Sequence, residues 1–322
     1  MTKDYKHEMA YRDDWKSLTG ELPVKMTSDY LFRALLQADE KTLTAMVASL
    51  LHISVDEVTE IVITNLITLG ESIDDKEFHL DVSAVINNST KINMELQAVH
   101  LAGWTDRSLL YVCRSFDQLN HGELYENAMP VIQVSFTDFT LFSEEPEFYS
   151  TYKLCNVKNP KVCYTDKLVI SNVDLTNIEL ATEEDIAWGI DKWARIFKAN
   201  SWEELGMLAK DSTIVDRAVS SIWQLTEDEK IRDQIRRREE NEREYNHVMS
   251  RAKKADELEK EIAGLEKIKI GLEEKNAGLE ERNAGLEERN AGWEKRYAGL
   301  EEQNAELLKR IAQLEAQMAE RN

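Results

Sequence analysis

The sequence predicts an α/β domain followed by a charged helical region and a heptad-repeat coiled coil. Three observations carry that reading. Short runs with strand-like alternation, such as "FHLDVSAVI" and "KINMELQ", lie between stretches with helical spacing. All four prolines, Pro23, Pro130, Pro146 and Pro160, fall before residue 161, where a compact domain needs turns. From Leu272 onward the chain repeats with a period of seven.

Each element follows from its local pattern. Residues 1–24 read as a polar N-terminal segment, 25–200 as the α/β domain, 201–254 as a helical region and 255–322 as the coil. "SDYLFRALLQADEKTLTAMVASLL" reads as one or two helices capped at Ser28 or Asp29. "VTEIVIT" reads as a strand, and the runs Phe78–Ile86 and Ile92–Gln97 as two more. "WTDRSLLYVCRSFDQLNHG" reads as a helix from near Thr105 to Gly122, and Val131–Phe136 as a buried strand. "EEDIAWGIDKWARIFKA" and "SWEELGMLAK" read as helices. A further charged helix leads into the coil; its cluster Arg236, Arg237 and Arg238 reads as a solvated face rather than a phosphate contact.

Composition narrows the function classes. The chain has 322 residues and a net charge of −21. Residues 1–222 hold 20 basic and 36 acidic side chains, so the acidity resides in the globular part. A protein that grips DNA phosphates usually carries a basic surface. Any DNA binding here is expected to be weak and salt-sensitive. No apolar run approaches the ~18 residues of a membrane span, and the first residues lack a signal-peptide core. Cys113, Cys155 and Cys163 have no metal-type spacing; they are expected to be free thiols in a reducing cytoplasm, packed as small hydrophobes.

The C-terminal repeat places Leu272, Leu279, Leu286, Trp293, Leu300, Leu307 and Leu314 at heptad position d. Position a is mostly asparagine: Asn276, Asn283, Asn290 and Asn304. Asparagine at a favours two strands and costs stability. Lys275, Arg282 and Arg289 at g precede Glu280, Glu287 and Glu294 at e, which suits a parallel homodimer. Gly278, Gly285, Gly292 and Gly299 at c each cost about 1 kcal/mol of helix propensity. A single solvated helix is the other reading.

The two alternating runs carry the chemistry. Phe78, Leu80, Val82, Ala84 and Ile86 share one face, as do Ile92, Met94 and Leu96. Both apolar faces must meet one core, so the hairpin needs an odd-length connection, such as Asn88-Ser89-Thr90. That register pairs Asp81 with Gln97 and sets Asp81 diagonal to Glu95 on the polar face, about 7–8 Å away. Two carboxylates at that range can hold one Mg²⁺. A half-solvated hairpin with ordinary surface carboxylates is the plainer alternative.

The wider pattern resembles the PD-(D/E)XK nuclease superfamily, and within it the nuclease-family transposases, or recombination-promoting nucleases. The matching pieces are "SDYLFRALL", "DDKEFHLDV", "INMELQ", "RSLLYVCRSFDQLNHGELY", "PVIQVSFTDFTLF", "YTDKLVISNVDL" and "LTEDEKIRDQIRRREE", in that order. The resemblance spans roughly residues 25–245. It implies a restriction-endonuclease-like core, a mixed sheet flanked by helices, and Mg²⁺-dependent cleavage of DNA, with Mn²⁺ as a substitute. It makes Asp81 and Glu95 metal ligands, with the Leu96 carbonyl as a further ligand. Gln97 falls where the superfamily has lysine. Glutamine can hydrogen-bond a water but supplies neither charge nor proton. The transposase branch usually has glutamine there. Arg107 is a candidate source of the missing charge, or else a surface arginine beside Tyr111. Asp29 matches a recurrent aspartate of the branch, or is a helix cap. Two functions stay open: a DNA endonuclease dimerised by its coil, or a weakly active nuclease-fold interaction protein whose coil binds partners. No groove-reading element is recognisable.

Overall fold

The computed structural model describes residues 9–67, 82–100, 103–117 and 119–319. The chain divides into two units, Met1–Arg243 and Glu244–Asn322. The first is a mixed six-stranded sheet with helices against it.

The first two helices are α1 (Asp29–Ala38) and α2 (Glu40–Leu51), not one. Ser28 caps α1 by accepting from Leu31 N, and Asp39 caps α2 by accepting from Lys41 N. Asp29 is therefore the first helical residue rather than the cap. Strands β1 (Ile61–Ile63), β2 (Val82–Ile86) and β3 (Thr90–Gln97) follow. Helix α3 (Trp104–Phe116) then leads to β4 (Val131–Thr137). It ends six residues before Gly122, which instead takes a positive φ of 90° in the following turn. Strands β5 (Tyr149–Asn156) and β6 (Asn159–Asp174) form a long hairpin. The remaining helices of this unit are α4 (Glu183–Ala187), α5 (Ile190–Lys198), α6 (Trp202–Ala209) and α7 (Thr213–Glu227). Gly189, at a positive φ of 72°, separates α4 from α5.

The strand order is β1-β2-β3-β4-β6-β5. The central trio β3, β4 and β6 runs parallel, and the outer pairs are antiparallel. The β2–β3 register has the expected parity, because Val82, Ala84 and Ile86 share a buried face with Ile92, Met94 and Leu96. It is displaced by two in index sum. Val82 faces Met94 and Ile86 faces Thr90, so the turn is Asn87-Asn88-Ser89. Asn87 and Asn88 take positive φ values of 51° and 50°, which asparagine tolerates. The Asn87 Oδ1 also accepts from Thr59 N and Glu60 N at 2.9 and 3.1 Å, pinning the turn to the start of β1.

The core lies between this apolar face and α1, α2, α5 and α7. Phe32, Phe136 and Phe197 meet with ring centroids 5.3–5.6 Å apart. Trp15, from the N-terminal segment, is buried in the same core. Helix α8 runs from Glu229 to Ala319. Its first turns belong to the same unit, with Ile231 and Ile235 buried in the core. In the second unit the helix is continuous through the heptad region, and Leu272, Leu279, Leu286 and Leu300 are exposed. Among the described residues, no helix is long and apolar enough to cross a membrane. All three cysteines are exposed, contrary to the buried packing expected of them. Two of them sit on the projecting β5–β6 hairpin, where there is no core to enter.

Candidate active site

The candidate site lies on the sheet face opposite the core. In-register pairing of β3, β4 and β6 lays residues in lateral rows: Glu95–Ser135–Asn172, and beyond it Gln97–Thr137–Asp174. Leu96–Phe136–Val173, between those rows, points into the core because strand side chains alternate. The polar rows meet α3, where Asn93 Nδ2 donates to Ser115 Oγ at 2.7 Å.

Glu95 is only 6% exposed. Its Oε1 accepts from Gln133 Nε2 at 2.8 Å and from Ser135 Oγ at 3.1 Å. These neutral donors orient the carboxylate. Nearby, Asn172 Nδ2 donates to Thr137 Oγ1 at 3.1 Å. Two carbonyl oxygens of this layer, Gln133 Oε1 and Asn172 Oδ1, are buried with no hydrogen-bond partner among the described residues. Leaving such an atom unsatisfied costs about 1–3 kcal/mol. A cavity of about 200 Å³ opens beside Ser135, lined also by Trp104, Ser108, Phe142, Tyr152 and Asn172.

The residues singled out in the sequence fare differently. Asp81 lies outside the described residues. Glu95, Leu96 and Gln97 are consecutive on β3, with Leu96 directed into the core and Glu95 and Gln97 toward the polar face. Gln97 is half-buried, and its Nε2 donates to Val99 O at 2.9 Å. Arg107 stays on its own helix. Its Nε donates to the Tyr111 hydroxyl at 3.1 Å, and its guanidinium lies over the Trp104 and Tyr111 rings. Asp29 accepts from Arg238 Nε at 3.3 Å. Burial pushes the Asp29 carboxyl up, against the Arg238 guanidinium that draws it down. The arginine cluster is thus not wholly a solvated face: Arg236 and Arg237 are exposed, but Arg238 packs on α1.

Gln133, Ser135 and Asn172 escaped sequence reading. The signal was present in β4, where Gln133, Ser135 and Thr137 alternate with apolar residues. The run was apolar enough to read as buried on both faces, and burial is indeed what the strand shows.

The donor chemistry fits a divalent cation. An oriented buried carboxylate and an unpartnered amide oxygen on the neighbouring strand are hard oxygen donors. Among the described residues, no three of His, Cys, Asp and Glu cluster together. Mg²⁺ is commonly held by one or two carboxylates with water and phosphate, so no such cluster is required.

A mixed sheet with a parallel centre, helices on both faces and a buried carboxylate on the polar face is a nuclease-like α/β fold. The chain belongs to the PD-(D/E)XK nuclease family transposases: that family's model matches residues 26–252. Nucleases of this kind typically use divalent metals and act on DNA. No curated protein and no solved structure matches the chain.

Proposed function

We propose that the protein is a metal-dependent DNA endonuclease of the recombination-promoting type. The observation that carries this reading is Glu95, inside the family region, buried and oriented by Gln133 and Ser135 beside an unpartnered carbonyl oxygen. Asp81 and Glu95, with the Leu96 carbonyl, would hold Mg²⁺, or Mn²⁺ in its place. When bound, the cation would supply a Lewis acid that activates water and offsets charge at the scissile phosphate.

The chain's own residues do the positioning. Gln133 and Ser135 hold the Glu95 carboxylate in one orientation. The Gln97 amide has a second N–H beyond the one given to Val99 O, and its oxygen can accept from the attacking water. It orients that water and brings no charge. The heptad region would join two chains in a parallel coiled coil, placing two sites on one duplex.

Plasmid nicking in Mg²⁺ or Mn²⁺ tests the site. Glu95→Gln keeps an acceptor for Gln133 and Ser135 and removes the charge. Both it and Asp81→Asn should lose nicking, with thermal unfolding unchanged. Parental nicking by both variants would falsify the assignment.

A second reading is favoured by the Gln97 amide being engaged by Val99 O and by the chain's −21 charge. In it, the fold is a weakly active scaffold and the coil selects partners. Calorimetric titration of Mg²⁺ or Mn²⁺ separates the two. Carboxylate-dependent metal binding supports the nuclease; absence of binding supports the scaffold.

A further inference from the structure

The β5–β6 hairpin has a feature the active site does not use. Strand β6 pairs with β4 only from Leu168 onward, so residues before Leu168 pair with β5 alone. The two strands therefore run on past the sheet as a two-stranded ribbon, closed by a tight turn at Val157-Lys158. Asn156 Oδ1 holds that turn by accepting from Lys158 N and Asn159 N at 2.9 and 3.2 Å. Side chains along the ribbon are solvent-exposed: Val157 is 95% and Tyr164 90% exposed.

The ribbon's charge is opposite to that of the whole. Between Thr151 and Lys167 lie four lysines and one aspartate, a net +3 in a chain of −21. Lys167 folds back onto the carbonyls of Glu126 and Ala128. Lys153, Lys158 and Lys161 pair with no carboxylate among the described residues and point their charge outward. Lysines and bulges on an edge hairpin also guard against strand pairing. Edge protection, however, asks for no aromatic ring in full solvent and no projection beyond the sheet. From Lys153 to its tip the ribbon extends roughly 15 Å at strand rise. A duplex major groove is about 8.5 Å deep and admits a two-stranded β-ribbon.

We infer that this ribbon is the protein's DNA-contacting arm, with Lys153, Lys158 and Lys161 on backbone phosphates and Tyr164 against the duplex. The inference rests on the nuclease reading for its choice of ligand. It accounts for how so acidic a protein holds DNA: phosphate contacts are gathered on one basic projection.

The test is fluorescence anisotropy of a labelled duplex with the full chain, without added metal, across a salt series. The combined variant Lys153→Ala, Lys158→Ala and Lys161→Ala should bind more weakly. The slope of log affinity against log salt should fall by about 2.7, at roughly 0.9 per phosphate contact. Lys158→Glu alone should weaken binding further than Lys158→Ala. An unchanged slope and affinity in the triple variant overturns the arm, even if the parent nicks DNA. Loss of binding in the triple variant supports the arm, even if no nicking is ever seen. A change in oligomeric mass with DNA affinity intact would make the ribbon a self-association edge and also overturns the proposal.

Discussion

Asp39→Ala should be among the most destabilising single changes in the first unit. Asp39 is fully buried and caps α2. Its Oδ1 accepts from Arg217 Nε and Nη2 at 3.0 and 2.9 Å. Its Oδ2 accepts from Thr42 Oγ1 at 2.9 Å and Ser221 Oγ at 2.8 Å. One carboxylate thus ties the α1–α2 turn to α7. Alanine would take the carboxylate from a guanidinium that is only 14% exposed, and the acceptor from two buried hydroxyls. Removing one partner of a buried ion pair costs about 3–5 kcal/mol. For a domain of this size each kcal/mol lowers the melting temperature by about 2–4 °C, so the expected drop is about 6–20 °C. Differential scanning calorimetry and urea unfolding measure it. Asp39 is on the core side of the sheet, away from Glu95, so the variant should still nick plasmid at 20 °C. A melting temperature within about 2 °C of the parent would refute the claim that this carboxylate holds α7 to α2.

Other expectations follow from single features. Deleting residues 255–322 should convert a dimer to a monomer by light scattering, and a full chain that is monomeric at every concentration removes the coiled-coil reading. Glycines in the heptad region weaken a lone helix by about 1 kcal/mol each, so the deletion partner, residues 255–322 alone, should show helicity that rises with concentration. Cys155 and Cys163 are directly opposed across the ribbon, with their sulfurs 3.0 Å apart. Added diamide, which takes up the two thiol hydrogens, should close a bridge there. A thiol titration of the native protein would then find one reactive cysteine, Cys113, in place of three.

Much of the fold was legible because it rests on short-range patterns. Period-two alternation marked β2 and β3, an apolar run marked β4, and the shared apolar parity of β2 and β3 set their common face. Register was harder to read. Parity cannot distinguish a turn at Asn88-Ser89-Thr90 from one at Asn87-Asn88-Ser89, and the tethering of Asn87 to Thr59 and Glu60 is a contact across 27–28 residues. The ribbon was missed for a similar reason. Nothing in "TYKLCNVKNPKVCYTDK" says that it leaves the sheet, since that depends on where β4 stops pairing with β6. At the candidate site, the resemblance to the nuclease family pointed to Glu95; its spacing to Asp81 and Gln97 alone fitted an ordinary hairpin equally well. Its supports, Gln133 and Ser135, were not legible, because parallel neighbours in a sheet need a connection that says nothing of their register.

In the proposed reading, the positive charge that phosphodiester cleavage calls for is divided between two places. Gln97 brings none, and Arg107 is engaged by Trp104 and Tyr111 on its own helix. Asp29 holds Arg238 at the start of α8. Among the described residues, those of the polar layer nearest Glu95 are neutral: Asn93, Gln133, Ser135, Thr137 and Asn172. In the proposed reading, charge at the phosphorus comes from the cation alone, and charge for capturing the strand comes from the lysines of the ribbon. Such a division separates binding from turnover. Ribbon variants should change affinity and its salt dependence while leaving the metal requirement intact. Variants at Glu95 should do the reverse.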